Sequence, residues 1–207
     1  MKYLFIDTST KYINIAIIEN DIIVFNHHEL VEKDMSSKII PSIDNGFKES
    51  SFLIRDIDCI FVVTGPGSFT GVRIGVTVAK TIAWALNINV IPISSLEFLA
   101  THKTQKKYLV SLIDARRGNV YAGIYDNELN NILPDKLVSY EQLAKNLDDT
   151  YEQVSYDFDY MVKPKLDILK VINKHLDDTP MNPHLLNPNY LKLTEAEERL
   201  NDKINKK

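Results

Sequence analysis

Four of the chain's seven glycines fall within the eleven residues of GPGSFTGVRIG, Gly65 to Gly75. The run joins an apolar segment, Cys59-Ile60-Phe61-Val62-Val63, to a segment of helical periodicity. Glycine at such a strand-to-helix junction permits positive φ and close backbone approach, and the first helical amides point outward at the positive end of the helix dipole. Anion binding is the chemistry that suits this arrangement. Its candidate residues are Gly65, Gly67 and Ser68, with Asp7, Thr8 and Ser9 at the end of an earlier apolar run. Two nucleotide motifs fail on spacing. A phosphate loop needs Lys and then Ser or Thr after its last glycine, where this chain has Val72-Arg73. A dinucleotide fingerprint needs its third glycine one place earlier and an acidic residue at the next strand end, where Pro92-Ile93-Ser94 stands. Ser68 lacks the flanking glycines of a nucleophile elbow and reads as a helix cap.

Asp7 and Asp114 each close a strand-like run, positions where actin-like and sugar-kinase-like proteins place aspartates around metal and phosphate. Such folds carry D-x-G there, whereas this chain has Asp7-Thr8-Ser9 and Asp114-Ala115-Arg116. No glycine follows Gly123, so a glycine-rich adenosine loop in a second lobe has no counterpart. The pattern predicts a nucleotide scaffold with an eroded site. The five histidines, His27, His28, His102, His175 and His184, show no zinc-binding spacing. Lys103, Lys106, Lys107, Arg116 and Arg117 make the one basic cluster, which reads either as solvated charge or as an RNA-facing patch.

Gly71, Gly75, Ala79 and Ala83 recur at i, i+4, a stripe of small residues flanked by Val72, Val76 and Val78. Something packs closely on that stripe, either the chain's own sheet or another subunit. Under the second reading Gly71, Val72, Gly75, Val76, Ala79 and Ala83 form a partner interface, with Ile39, Ile43 and Phe47 of the preceding helix alongside. That reading predicts that Ala79→Leu folds normally and fails to associate.

The elements that would position these residues are legible in the apolar pattern. Lys2 to Ile6, Tyr12 to Ile18 and Ile22 to Phe25 read as an antiparallel meander, followed by an amphipathic helix over 34–50. A buried strand over 59–64, a helix over 68–86, a strand over 89–93 and a short helix over 95–102 follow, so the class is mixed α/β. Shifting the chain by 107 residues lays Phe5-Ile6-Asp7 on Leu112-Ile113-Asp114 and Ile13, Ile15 and Ile17 on Val120, Ala122 and Ile124. A duplicated lobe follows, abbreviated because only helices at 140–147 and 164–176 stand out after Asp126. The expected division is 1–103 for a first lobe, 104–193 for the second and 194–207 for a charged tail read as a frayed helix.

Composition narrows the function. The 207 residues are 44% hydrophobic and 25% charged, which excludes wholesale disorder. No apolar run approaches the ~20 residues of a membrane span, so a cytoplasmic location without membrane contact is expected. Cys59 is the single cysteine, so neither an internal disulfide nor a thiolate metal cluster can form. With 24 basic and 28 acidic side chains, a net charge of −4 and only five arginines, unaided nucleic-acid binding is disfavoured.

Five segments carry a family resemblance: Ile6–Ser9 (IDTS), Val63–Gly75 (VTGPGSFTGVRIG), Pro92–Leu96 (PISSL), Ile113–Tyr121 (IDARRGNVY) and Asn187–Glu197 (NPNYLKLTEAE). Together the chain resembles the TsaB family, also called YeaZ, with 140–180 the least similar part. The resemblance implies an actin-like (ASKHA, RNase H-like) two-lobed fold and a noncatalytic subunit of bacterial threonylcarbamoyladenosine synthesis. It implies a TsaD paralogue as partner, which holds the metal and transfers threonylcarbamoyl from its adenylate to the adenosine beside the tRNA anticodon. The ATPase TsaE joins through the complex, tRNA is met through the complex, and the chain has no cofactor of its own. A paired-helix interface with TsaD is implied, and a homodimer of the free chain is compatible with it. Where the family has His-Ser-Glu opening its first helix, this chain has Met35-Ser36-Ser37. The rivals are a self-sufficient phosphotransferase of the same fold, and a peptidase, for which no nucleophile–histidine or metal-ligand spacing exists.

Overall fold

The computed structural model describes residues 1–191, so the expectation for 194–207 lies outside the described residues. Two β-sheets organise the chain. The first has β1 (Lys2–Asp7), β2 (Tyr12–Glu19), β3 (Ile22–Leu30), β4 (Cys59–Val63) and β5 (Asn89–Ile93), in the order β3-β2-β1-β4-β5. β1 to β3 form an antiparallel meander, while β4 runs parallel to β1 and β5 parallel to β4. The parallel crossovers are made by α1 (Met35–Ser50) and α2 (Phe69–Leu86). α3 (Ser95–Leu99) follows β5 and is capped by the Ser94 hydroxyl.

The second sheet repeats this plan. It has β6 (Tyr108–Asp114), β7 (Asn119–Asp126), β8 (Asn131–Ser139) and β9 (Tyr151–Val154), in the order β8-β7-β6-β9, with β9 parallel to β6. The 107-residue shift carries β2 onto β7 end to end and Asp7 onto Asp114. Even the turns agree: the Ser9 amide donates to Asp7 Oδ1 and the Arg116 amide to Asp114 Oδ1, each at 2.8 Å. The abbreviation is physical. α4 (Tyr140–Ala144) has five residues where α1 has sixteen. α5 (Ile168–Lys174) starts later than the sequence pattern predicts because Asp167 caps it, accepting from the Lys170 amide at 3.0 Å.

Both faces of β1, β2 and β4 are buried, which is why these strands read as continuous apolar runs, whereas the edge strand β3 is largely exposed. Leu4, Ile6, Ile60 and Val62 point toward α1 and α2, while Phe5, Phe61 and Val63 point toward α3, α5 and the second sheet. α1 continues through Pro41, because the Ser37 carbonyl that loses its partner lies on the exposed side. No described helix is long and apolar enough to cross a membrane.

Candidate functional site

A cavity of about 1100 Å³ opens where the ends of β1 and β6 face the start of α2. Ser9, Lys11, Gly67, Ser68, Asp114, Arg116, Tyr121 and Asp157 are among its lining residues. This is where strand ends and a helix N-terminus would hold a phosphate. The residues on the first-lobe side are instead committed to one another.

Asp7 is 2% exposed and turned into the protein. Its Oδ1 accepts from the Ser9 amide and its Oδ2 from Asn14 Nδ2, both at 2.8 Å, and Asn14 Oδ1 in turn meets His28 Nδ1 at 2.5 Å. Burial pushes the Asp7 carboxyl above its usual range, against the hydrogen bonds of Ser9 and Asn14 that lower it. Thr8 Oγ1 donates to the Gly71 carbonyl at 2.7 Å, and the Ser9 carbonyl accepts the Ser68 amide at 2.7 Å. A Cβ on Gly67 would clash with the Ser9 carbonyl oxygen, one on Gly71 with the Thr8 carbonyl oxygen, and one on Gly75 with Thr8 Oγ1. These glycines therefore admit the chain's own Thr8-Ser9 backbone. Gly65 (φ +108°) passes its carbonyl to the Ser95 amide at 3.0 Å. Of the six residues of the expected vestigial anion loop, Ser9, Gly67 and Ser68 line the cavity and Asp7, Thr8 and Gly65 do not, while the Ser9 carbonyl holds the Ser68 amide at the start of α2. Among the described residues no group of three or more His, Cys, Asp or Glu side chains stands together as a metal site. Ser68 is the cap of α2, its Oγ accepting from the Gly71 amide at 3.2 Å.

The basic cluster is divided between the two ends of β6. Lys106 and Lys107 precede β6 and Arg116 and Arg117 follow it, and the strand between them separates the pairs by about 23 Å at ~3.3 Å per residue. Lys107 lies over the Tyr108 ring at 4.9 Å, and Arg116 lines the cavity at the other end. Lys103 sits in the loop before β6.

The small-residue stripe faces inward. Gly71, Val72, Gly75, Val76, Ala79 and Ala83 are all buried, because the absent or small side chains let α2 settle on β1 and β4. Ile39, Ile43 and Phe47 are 1%, 3% and 8% exposed and form the core side of α1. The predicted partner interface on these nine residues is therefore the chain's own core. The outward faces of the same helices leave a different groove of about 420 Å³, walled chiefly by Ile40, Phe69, Arg73, Ile74 and Val78, with Ile39, alone of the nine, reaching its floor. Ile40 is 53% and Phe69 49% exposed. One sequence signal marks it: in the pair Ile39-Ile40 only one side chain can face the core of an amphipathic helix.

With this geometry in place, a family model described as "TsaD: tRNA N6-adenosine threonylcarbamoyltransferase" matches residues 24–196. The chain is 32% identical to the tRNA threonylcarbamoyladenosine biosynthesis protein TsaB of Bacillus subtilis strain 168, over 95% of this chain and 96% of that protein. It is 34% identical to TsaB of Escherichia coli K12 over 64% of this chain and 58% of the relative. The structure of YeaZ from Pseudomonas aeruginosa superimposes with a TM-score of 0.79, covering 92% of this chain and 99% of that one at 23% identity, and it shows the shared fold. Two α/β units built on the same strand plan, a glycine-rich turn closed on its own backbone and similarity along nearly the full length agree: the chain belongs to the TsaB (YeaZ) family of tRNA threonylcarbamoyladenosine biosynthesis proteins.

Proposed function

We propose that this chain is a noncatalytic subunit that binds and supports a TsaD paralogue in forming threonylcarbamoyladenosine next to the tRNA anticodon. ATP and metal belong to the TsaD and TsaE partners, and tRNA is engaged through the complex. One observation carries the reading: the Ser9 carbonyl accepts the Ser68 amide at 2.7 Å, so a backbone oxygen stands at the helix N-terminus where a phosphate would approach. A carbonyl there repels an anion, and removing it would require taking apart the Thr8–Gly71 contact as well. The half-exposed apolar side chains between α1 and α2 support the second part of the reading, a protein partner on those helices.

The direct experiment is co-expression with the organism's TsaD paralogue, followed by mass measurement of the purified complex and an ATP titration of the chain alone. A stable heterodimer and no saturable ATP binding by the isolated chain at millimolar nucleotide are expected. Micromolar ATP binding with turnover by the isolated chain would replace this reading with the phosphotransferase rival, for which the size of the cavity speaks.

A further inference from the structure

α5 is a seven-residue helix, too short to persist by itself, so its order rests on three buried side chains, Ile168, Val171 and Ile172, and on polar ties at its ends. At its start the Asp167 amide donates to Thr101 Oγ1 at 2.9 Å and the Lys165 amide to His102 Nδ1 at 3.1 Å. At its end stands His175, and both of its ring nitrogens face carboxylates. Nε2 lies 2.8 Å from Glu97 Oε2 of α3, and Nδ1 lies 2.6 Å from Asp178 Oδ2. An ionised carboxylate only accepts and a neutral imidazole has one donor, so both contacts are hydrogen bonds only when the ring carries two protons. The inner pair, Glu97 and His175, is shielded by the protein, whereas Asp178 is exposed. His102 differs: its Nδ1 accepts an amide, so a ring with its single proton on Nε2 still turns an N–H toward Glu152, 3.7 Å away.

The charges around this histidine are one-sided. Glu97 comes from α3 and Asp177 and Asp178 from the chain after α5, while Asp135 of β8 acts on Glu97 from across the cap of α3. Lys174, the neighbouring cation on α5, is turned to Asn130 Oδ1 at 2.9 Å. Among the described residues Glu97 pairs with His175 and with no lysine or arginine. We propose that His175 is a protonation-dependent latch: as an imidazolium it pins the end of α5 and the chain that follows to α3, and as a neutral ring it keeps Glu97 and releases Asp178, so that residues 176–180 detach. The remaining proton stays on Nε2 because the shielded Glu97 carboxylate has no water to turn to, while Asp178 swings out into solvent. Residues 176–180 are all exposed, and their polar ties among the described residues are the His175–Asp178 contact and the Asp178 amide on the His175 carbonyl at 3.2 Å. Beyond them the chain is anchored again, where Met181 and Val90 exchange backbone hydrogen bonds at 2.8 and 3.1 Å and Leu186 is buried in the core beneath α2. The segment is thus tethered at both ends, and the latch sets whether it lies against α3 or loops out. Burial lowers the His175 pKa, and the hydrogen bonds and charges of Glu97 and Asp178 raise it by more, so the latch is closed below ~6.5 and opens as pH rises through the higher folded value.

The experiment follows hydrogen exchange of single amides by NMR in the whole chain at pH 6 and pH 8, corrected for intrinsic exchange, in wild type, His175→Gln and Asp178→Asn, with a titration of the imidazole signals. The amides to watch are those of His175, on the Ile172 carbonyl at 2.9 Å, and of Asp178. In wild type both should be about tenfold better protected at pH 6 than at pH 8, while the amides of β4 change by less than about twofold. His175→Gln should show the pH 8 protection of wild type at both pH values. Asp178→Asn should be flat to within about twofold, since a side-chain amide presents its oxygen to the charged ring and its nitrogen to the neutral one. A wild-type ratio within about twofold would overturn the proposal, as would a titration that finds His175 uncharged at pH 6. The same tenfold loss in His175→Gln would also overturn it, by assigning the pH dependence to another group such as His28 or Asp135. Should His175→Gln melt early, Asp178→Asn decides: a tenfold change retained there sinks the latch, and a flat response upholds it.

Discussion

At the scale of single residues, the decisive contacts are backbone oxygens lying where a glycine has no side chain. The Thr8 carbonyl sits against Gly71 and the Ser9 carbonyl against Gly67, and neither can move without taking β1 along. Gly71→Ala should therefore lose about 1–3 kcal/mol or more of unfolding free energy, since a rigid main-chain atom cannot give way to the new methyl. Ser68→Ala removes only a helix cap and should lose about 1 kcal/mol. Urea unfolding of the two variants beside wild type checks the order, and a loss for Gly71→Ala smaller than for Ser68→Ala would mean that the Thr8-Ser9 turn is not seated on α2. The same contacts explain why glycines are needed at this strand-to-helix turn: they admit the Thr8-Ser9 backbone.

At the scale of elements, α1 and α2 each present one face to the first sheet and another outward, and these faces answer differently to substitution. Ala79 is fully buried on the inner face of α2, so Ala79→Leu should overpack the contact with the sheet and lower the melting temperature by about 2–10 °C, at ~2–4 °C per kcal/mol for a chain of this size. This reverses the expectation from the sequence pattern alone. Ile40 is on the outer face of α1, so Ile40→Asp should melt within about 2 °C of wild type while its affinity for the TsaD paralogue falls, because the loss is confined to the groove. Thermal melts paired with the binding assay separate the faces; an unfolded Ile40→Asp or an undisturbed Ala79→Leu would exchange their roles.

At the scale of the whole molecule, the two lobes are joined around α3 by a network of polar side chains. Glu97 of α3 meets His175 Nε2 at 2.8 Å, and Asp178 meets His175 Nδ1 at 2.6 Å. Ser94 and Tyr125 both donate to Asp135 of β8. Burial pulls the His175 pKa down, but the hydrogen bonds and charges of Glu97 and Asp178 outweigh it and hold it above the usual value. A raised histidine stabilises the fold fully below its unfolded pKa of ~6.5, and that stabilisation is lost as pH rises through the higher folded value. The wild-type melting temperature should therefore drop more between pH 6 and pH 8 than that of His175→Gln, by about 2–4 °C. His28, whose pKa burial lowers, and Asp135, whose carboxyl burial raises, contribute equally to both proteins, so the difference belongs to His175. Parallel curves for the two proteins would show that the Glu97–His175 contact contributes nothing to the joint.

The sequence by itself determined the strands up to β7, the order of α and β elements that far, the cap at Ser68, the repeat that lays Asp7 on Asp114, and the family; β8 and β9 were not legible. These depend on local chemistry and on periods of about two and four residues, which survive without knowledge of the neighbours. Tertiary structure decided what each face meets. The stripe from Gly71 to Ala83 required a close neighbour, and only the seating of α2 on β1 shows that the neighbour is the chain's own sheet. Lys107 and Arg116 are neighbours in a cluster along the chain, yet an extended strand carries them to opposite ends of β6. Ser9 and Ser68 stand far apart in the sequence, and the carbonyl-to-amide bond between them exists only because β1 and β4 pair side by side and bring both turns to the same end of the sheet.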